Sequence, residues 1–232
     1  MRDSSTPLHQ IGQLMCQATR EILWQPAGEW LGKRATGVAL HCRVGSGQAT
    51  YHRYDSGKKV HLINYGLRMI AAKQRPETAE GWLSTREIQG RGYFRGELSP
   101  LNLLAHTCCH EFAHLVQYSA GKRAYGSVHN RHFYDILDQL HEDGGAKATR
   151  DFLAREADSR GLDLPSAPFA VPDSRILARN WQVGDSVSFG EGVRQHHGQI
   201  IRVNRKTCTV QTKGPSRGSR YRVPLSMLRK SN

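Results

Sequence analysis

Residues 107–118 read Thr-Cys-Cys-His-Glu-Phe-Ala-His-Leu-Val-Gln-Tyr, and His110-Glu111-Phe112-Ala113-His114 form an H-E-x-x-H pattern within them. Positions four apart on an α-helix lie one above the other, so His110 and His114 can offer two imidazoles to one metal ion. Glu111 then stands beside them, placed to act as a base on water. The spacing has this meaning only on a helix, and the flanks supply one. Ser99 is a good N-cap, Pro100 suits the first helical position, and Gly121 followed by Lys122 and Arg123 is a stop signal. A single helix is predicted between these signals.

Leu101, Leu104, Ala105, Cys108, Phe112 and Leu115 cluster on one side of that helix at ~100° per residue. His110 projects from nearly the opposite side, with His114 about 40° away. The two histidines are therefore expected to face a cleft or a second structural layer.

A catalytic zinc usually takes three protein ligands and leaves one position for water. The metzincin spacing fails, because Ala120 stands where its third histidine would be. Glu142 and Glu156, on later helices, are possible third ligands. The segment 126–134 offers His129 and His132 at the head of a new helix with apolar Phe133, Ile136, Leu137 and Leu140. His129 lies on that apolar stripe and is the favoured ligand. His132, offset by about a sixth of a turn, is the reserve.

His110-Glu111-x-x-His114, a short connection, then His129-x-x-x-Phe133 at a helix start resembles the SprT-like (Spartan-type) zinc metalloprotease family. The usual pattern there is H-E-x-x-H followed by H-G-x-x-F, and the resemblance spans roughly residues 8–145. It implies a zincin-like domain in which His110, His114 and His129 bind Zn2+ and Glu111 is the base. It also implies action on proteins crosslinked to DNA. The stretch Val60-His61-Leu62-Ile63-Asn64 looks like the extended segment that precedes the family's active helix. Two departures stand out: Asn130 replaces the glycine after the third histidine, and no C-x-x-C pair provides a C-terminal zinc ribbon. Asn tolerates unusual backbone angles, which makes the first departure mild.

Elsewhere the pattern is α+β. Residues 7–24 read as a helix, 37–44, 50–54 and 59–64 as a small antiparallel meander, and 67–72 as a short helix. Residues 88–94 read as an edge strand or a mobile basic loop, since Gly90 and Gly92 weaken a strand. Helices are expected near 129–142 and 146–159. The division that follows is a SprT-like metallopeptidase domain over 1–160, a Pro-containing linker over 161–180, and a small all-β SH3-like barrel over 181–232. Its short strands, at 186–189, 198–203, 207–212 and 221–223, are loosely similar to KOW-type modules.

Charge separates these parts. Residues 181–232 hold ten Lys and Arg against Asp185 and Glu191 only, so eight of the net +13 charges lie there. A polyanion partner follows, nucleic acid and preferably DNA, through Arg202, Arg205, Lys206, Lys213, Arg217, Arg220 and Arg222. The five cysteines (Cys16, Cys42, Cys108, Cys109 and Cys208) are odd in number and lack a disulfide framework's spacing, and Cys108 and Cys109 read as structural. With no apolar run near 18 residues and no signal-peptide core, a soluble cytoplasmic protein without a membrane partner is expected.

The sequence thus points to a zinc-dependent endopeptidase with a protein substrate and a basic nucleic-acid-binding module. A binding protein with a structural or vestigial metal is the rival. It would need a fourth ligand from His106, His132, His61 or His41. A zinc hydrolase acting on a non-peptide bond is the third possibility.

Overall fold

A computed structural model describes residues 6–34, 37–123, 127–171, 174–190, 195–212 and 218–231. In chain order the helices and strands are α1 (Pro7–Ala18), α2 (Gly28–Arg34), β1 (Ala39–Gly45), β2 (Tyr51–Asp55), β3 (Val60–Gly66), α3 (Leu67–Ala72), α4 (Pro76–Ala79), α5 (Leu83–Arg91), α6 (Pro100–Ser119), α7 (Arg131–Glu142), α8 (Gly145–Ser159), α9 (Ser174–Arg179), β4 (Ser186–Phe189), β5 (His196–Val203), β6 (Thr207–Thr212), β7 (Arg220–Pro224) and β8 (Arg229–Lys230). A π-helical turn, Thr19–Trp24, extends α1. The chain forms two compact units, Met1–Arg75 with Gly81–Phe169, and Pro76–Glu80 with Ala170–Asn232.

The first unit is built around α6. Its start is as the sequence predicts: Ser99 Oγ accepts from the Asn102 amide at 3.1 Å and Pro100 follows at the first position. Helices α1, α5, α7 and α8 and strand β2 pack around it. As a result α6 is buried on its polar side as well, with His106, Thr107, Glu111, His114 and Gln117 all enclosed. The histidines face a second packed layer rather than open solvent. Gly12 lets α1 lie close on β1, since a Cβ there would come within 2.9 Å of the Val44 methyls.

The three-stranded sheet is mixed, not the antiparallel meander expected. Its order is β1-β3-β2, with β3 parallel to β1 and antiparallel to β2. The short connections 46–50 and 56–59 suit hairpins, but β3 inserts between the strands that precede it. Central β3 is accordingly buried from His61 to Gly66, as a strand covered on both faces must be.

Residues 88–94 are also corrected. Ile88 is a core residue of helix α5, Gly90 sits in its last turn, and Gly92, at φ 73°, is the left-handed residue that ends it. Gly92 is the helix-stop signal and Gly90 is carried within the helix, so neither marks a strand. The tract 161–180, read as a linker, contains α9.

The second unit is a five-stranded antiparallel sheet, order β7-β6-β5-β4-β8. Val187, Phe189, Ile200, Cys208, Val210, Val223, Leu225 and Leu228 form its core. Gly198 allows β5 and β6 to cross tightly, because a Cβ would sit 2.3 Å from the Gln211 carbonyl oxygen. Helix α4 belongs to this unit, and Ser226 Oγ donates to the Glu77 carbonyl at 2.9 Å. No helix among the described residues is long and apolar enough to cross a membrane.

Candidate metal centre

Three imidazoles converge where α6 meets the start of α7. His129 Nε2 lies 3.2 Å from His110 Nε2 and 3.1 Å from His114 Nε2. Two nitrogens at about 2.0–2.1 Å from one tetrahedral zinc stand roughly 3.3 Å apart, so these separations suit a shared ion. Lone-pair nitrogens this close repel one another unless a cation or proton lies among them. Phe133, fully buried, contacts all three rings at centroid distances of 4.9, 4.3 and 4.9 Å and gives the cluster a dry, rigid back wall. Burial depresses the basicity of His114 to about 2 and also lowers that of His129, with His110 adding to both. Both rings are therefore neutral, the form that ligates.

The third histidine is held by Asn130, read in the sequence only as a tolerant backbone position, and by Gln117, which the sequence did not mark. His129 precedes α7, and Asn130 is the N-cap, accepting from the Phe133 amide at 3.1 Å. Asn130 has φ −85° and ψ −179°, so it caps the helix and makes no use of the left-handed region. Gln117 on α6 donates to the Val128 carbonyl at 3.0 Å and to Asn130 Oδ1 at 2.9 Å. These bonds clamp both neighbours of His129 to the helix that carries His110 and His114.

A second carboxylate orients His110. Glu87 Oε2, on α5, lies 3.0 Å from His110 Nδ1 and 2.9 Å from His106 Nε2. A carboxylate only accepts, so both ring nitrogens donate to it, and His110 Nε2 is left as a lone pair facing the other two histidines. This carboxylate–histidine arrangement fixes tautomer and ring plane at metal sites. Burial raises the proton affinity of Glu87, but the hydrogen bonds from His106 and His110 outweigh it and hold the carboxyl well below the usual range. His106 continues the network to His141, Nδ1 to Nε2 at 3.1 Å, and His141 stacks on Tyr93 at 3.8 Å. His106, Glu87 and His110 also form a group with ligand-like spacing, but the donor geometry just described satisfies those atoms as hydrogen bonds.

Glu111 is 5 % exposed and lines, with His110, a cavity of about 160 Å3. Its Oε2 has no hydrogen-bond partner among the described residues. Burial raises its proton affinity, with His110 and Lys73 opposing that rise.

The other sequence candidates separate cleanly. His132 and His41 are exposed, and His61 pairs with His52 at 2.8 Å. His106 serves Glu87, and Glu156 pairs with Arg160 at 3.3 Å. Neither Glu142 nor Glu156 joins the group of three histidines. All five cysteines are free and buried, and burial pushes the Cys108 thiol up to about 12.

On the second unit Arg202 faces Thr209 across β5 and β6, and Thr209 faces Arg222 across β6 and β7. Directly opposed residues share a sheet face, so Arg202, Arg222 and, two positions along, Arg220 stand on one exposed face. Arg205 and Lys206 are exposed in the β5–β6 turn. Lys213 and Arg217 lie outside the described residues.

No protein-family model matches the chain, and neither curated proteins nor solved structures provide a match.

Proposed function

We propose that the first unit is a zinc-dependent endopeptidase of zincin-like type, similar to the SprT-like family. The observation that carries this reading is the meeting of three imidazole Nε2 atoms, from two different segments, beside a buried glutamate. A bound zinc ion would polarise a carbonyl and increase the acidity of water.

The chain's own residues do the rest. His110, His114 and His129 hold the ion. Glu87 keeps the His110 lone pair turned inward. Glu111 takes a proton from the attacking water as its oxygen bonds to the peptide carbon. Glu111 then hands that proton to the amine as the C–N bond breaks. The set of three ligands favours this over a structural metal, which would take a fourth protein donor. The decisive experiment is metal analysis with peptide-cleavage kinetics on wild type and Glu111→Gln: zinc retained and cleavage abolished in the variant is the expected pair.

The second unit is proposed as an SH3-like module that brings the peptidase to nucleic acid, preferably DNA, so that proteins bound or crosslinked there become substrates. The strand order β7-β6-β5-β4-β8 and the row of arginines across β5–β7 support it. Binding through phosphate groups would be salt-dependent and largely blind to sequence.

A further inference from the structure

Lys73 follows α3 as its C-cap and is 3 % exposed. Lysine is almost never enclosed to this degree without an anionic partner. Its ammonium donates to Thr107 Oγ1, one hydrogen bond of the three it can make. Glu111 and Glu87 act on it through space, and no ion pair engages it among the described residues. Its Nζ stands 5.4 Å from the Trp82 ring centroid.

These groups line the same cavity of about 160 Å3 that opens beside His110 and Glu111. Ser84 is on that wall too, 6 % exposed, and its Oγ has no hydrogen-bond partner among the described residues. The cavity wall thus carries a buried cation and an unpaired hydroxyl, two donors beside His110 and Glu111. Water alone can satisfy donors, but a buried ammonium gains most from an anion.

We propose that this cavity is a subsite for a carboxylate of the substrate, held by Lys73 Nζ and Ser84 Oγ and adjoining the scissile bond. It rests on the peptidase reading above and gives it a specificity. The carboxylate is an Asp or Glu side chain, or the terminal carboxylate of a cleaved chain. Lys73 offsets the repulsion that such a group meets from Glu111.

The test uses the zinc-loaded full chain and matched peptides carrying Asp, Asn, Glu or Gln on either side of one cleavable bond. A second pair, with free and amidated C-termini, separates the terminal carboxylate from the side chain. Reduced-amide analogues of the same peptides report binding without turnover. Wild type should favour acid over amide by about tenfold or more, the worth of a hydrogen-bonded charge. Lys73→Met should bring that ratio close to one, Lys73→Arg should restore part of it, and Ser84→Ala should reduce it about threefold. Should Lys73→Met not fold, the wild-type ratio and the other two variants decide. An acid/amide ratio near one in both cleavage and binding overturns the subsite. So does an equal loss across all peptides in Lys73→Met, which would make the lysine only a counter-charge for Glu111. Absent cleavage with a preserved binding preference would sink the hydrolysis reading and leave the subsite standing.

Discussion

The second unit buries aliphatic side chains and leaves Arg202, Arg205, Lys206, Arg220 and Arg222 in solvent. The first unit encloses His52, His61, Lys73, Glu87, His106, Glu111 and His114 together with its aliphatic core. One unit keeps its charge where water and salt screen it, fit for long-range attraction to a polyanion. The other withdraws polar groups from water, where each hydrogen bond and each charge counts for more and where proton affinities move. The contrast is the reason the proposed function puts reactive chemistry in the first unit and surface electrostatics in the second.

The largest effect should come from Glu111→Gln, which removes the buried base and keeps its shape. A loss of about 10²–10⁴-fold in kcat/KM is expected with zinc content unchanged. Cleavage at the wild-type rate would mean that the base lies elsewhere. Next is Phe133→Ala, which empties the wall behind the three imidazoles. It should cost about 3–5 kcal/mol in denaturant unfolding. A loss below about 1 kcal/mol would mean that the polar core does not depend on this packing.

Glu87→Gln replaces an acceptor-only group with one that also donates, and should weaken zinc about 10–100-fold by competition with a chelator. His132→Ala, on the exposed neighbour of His129, should leave that affinity unchanged. On the other unit, Arg202→Ala with Arg222→Ala should lower the slope of log K against log salt by roughly 0.9 for each duplex-DNA phosphate no longer neutralised. An unchanged slope would remove this face from the interface.

Acid separates the polar core from the aliphatic one. Burial lowers His52 to about 3 and His61 to about 4, while His106 and His141 fall to about 4 and about 3. The unfolded chain therefore takes up protons first as the pH drops below about 6.5. Stability is complete above that value and declines towards pH 4. Amide exchange in α6, corrected for its intrinsic rate, should speed up over this window; constant protection would contradict the buried neutral histidines.

Much of the first unit was legible because its signals are local. Ser99, Pro100 and Gly121 bound α6 through capping chemistry, and four-residue spacing paired His110 with His114. His129 was reachable because a set of two ligands demanded a third. Glu87 was not, since its role is set by a partner 23 residues away along the chain and its helix was disguised by Gly90 and Gly92. The parallel pairing of β1 with β3 is likewise long-range: hairpin-length connections gave no hint that β3 would insert. Asn130 reads in the sequence as a tolerant backbone position, whereas its side-chain oxygen is what the fold uses. In the second unit the count of Lys and Arg marked the basic residues, but that Arg202 and Arg222 share a face follows only from the pairing of β5, β6 and β7.

The Gln117 amide, bonded to the Val128 carbonyl and the Asn130 side chain, holds both neighbours of His129 in the folded chain. Little conformational search then remains for an arriving ion, unlike small modules that collapse only around their metal. If these three histidines hold zinc, chelation should strip it reversibly with the helix content almost intact, while the melting temperature falls by the stabilisation that an ion bound only to the folded chain provides.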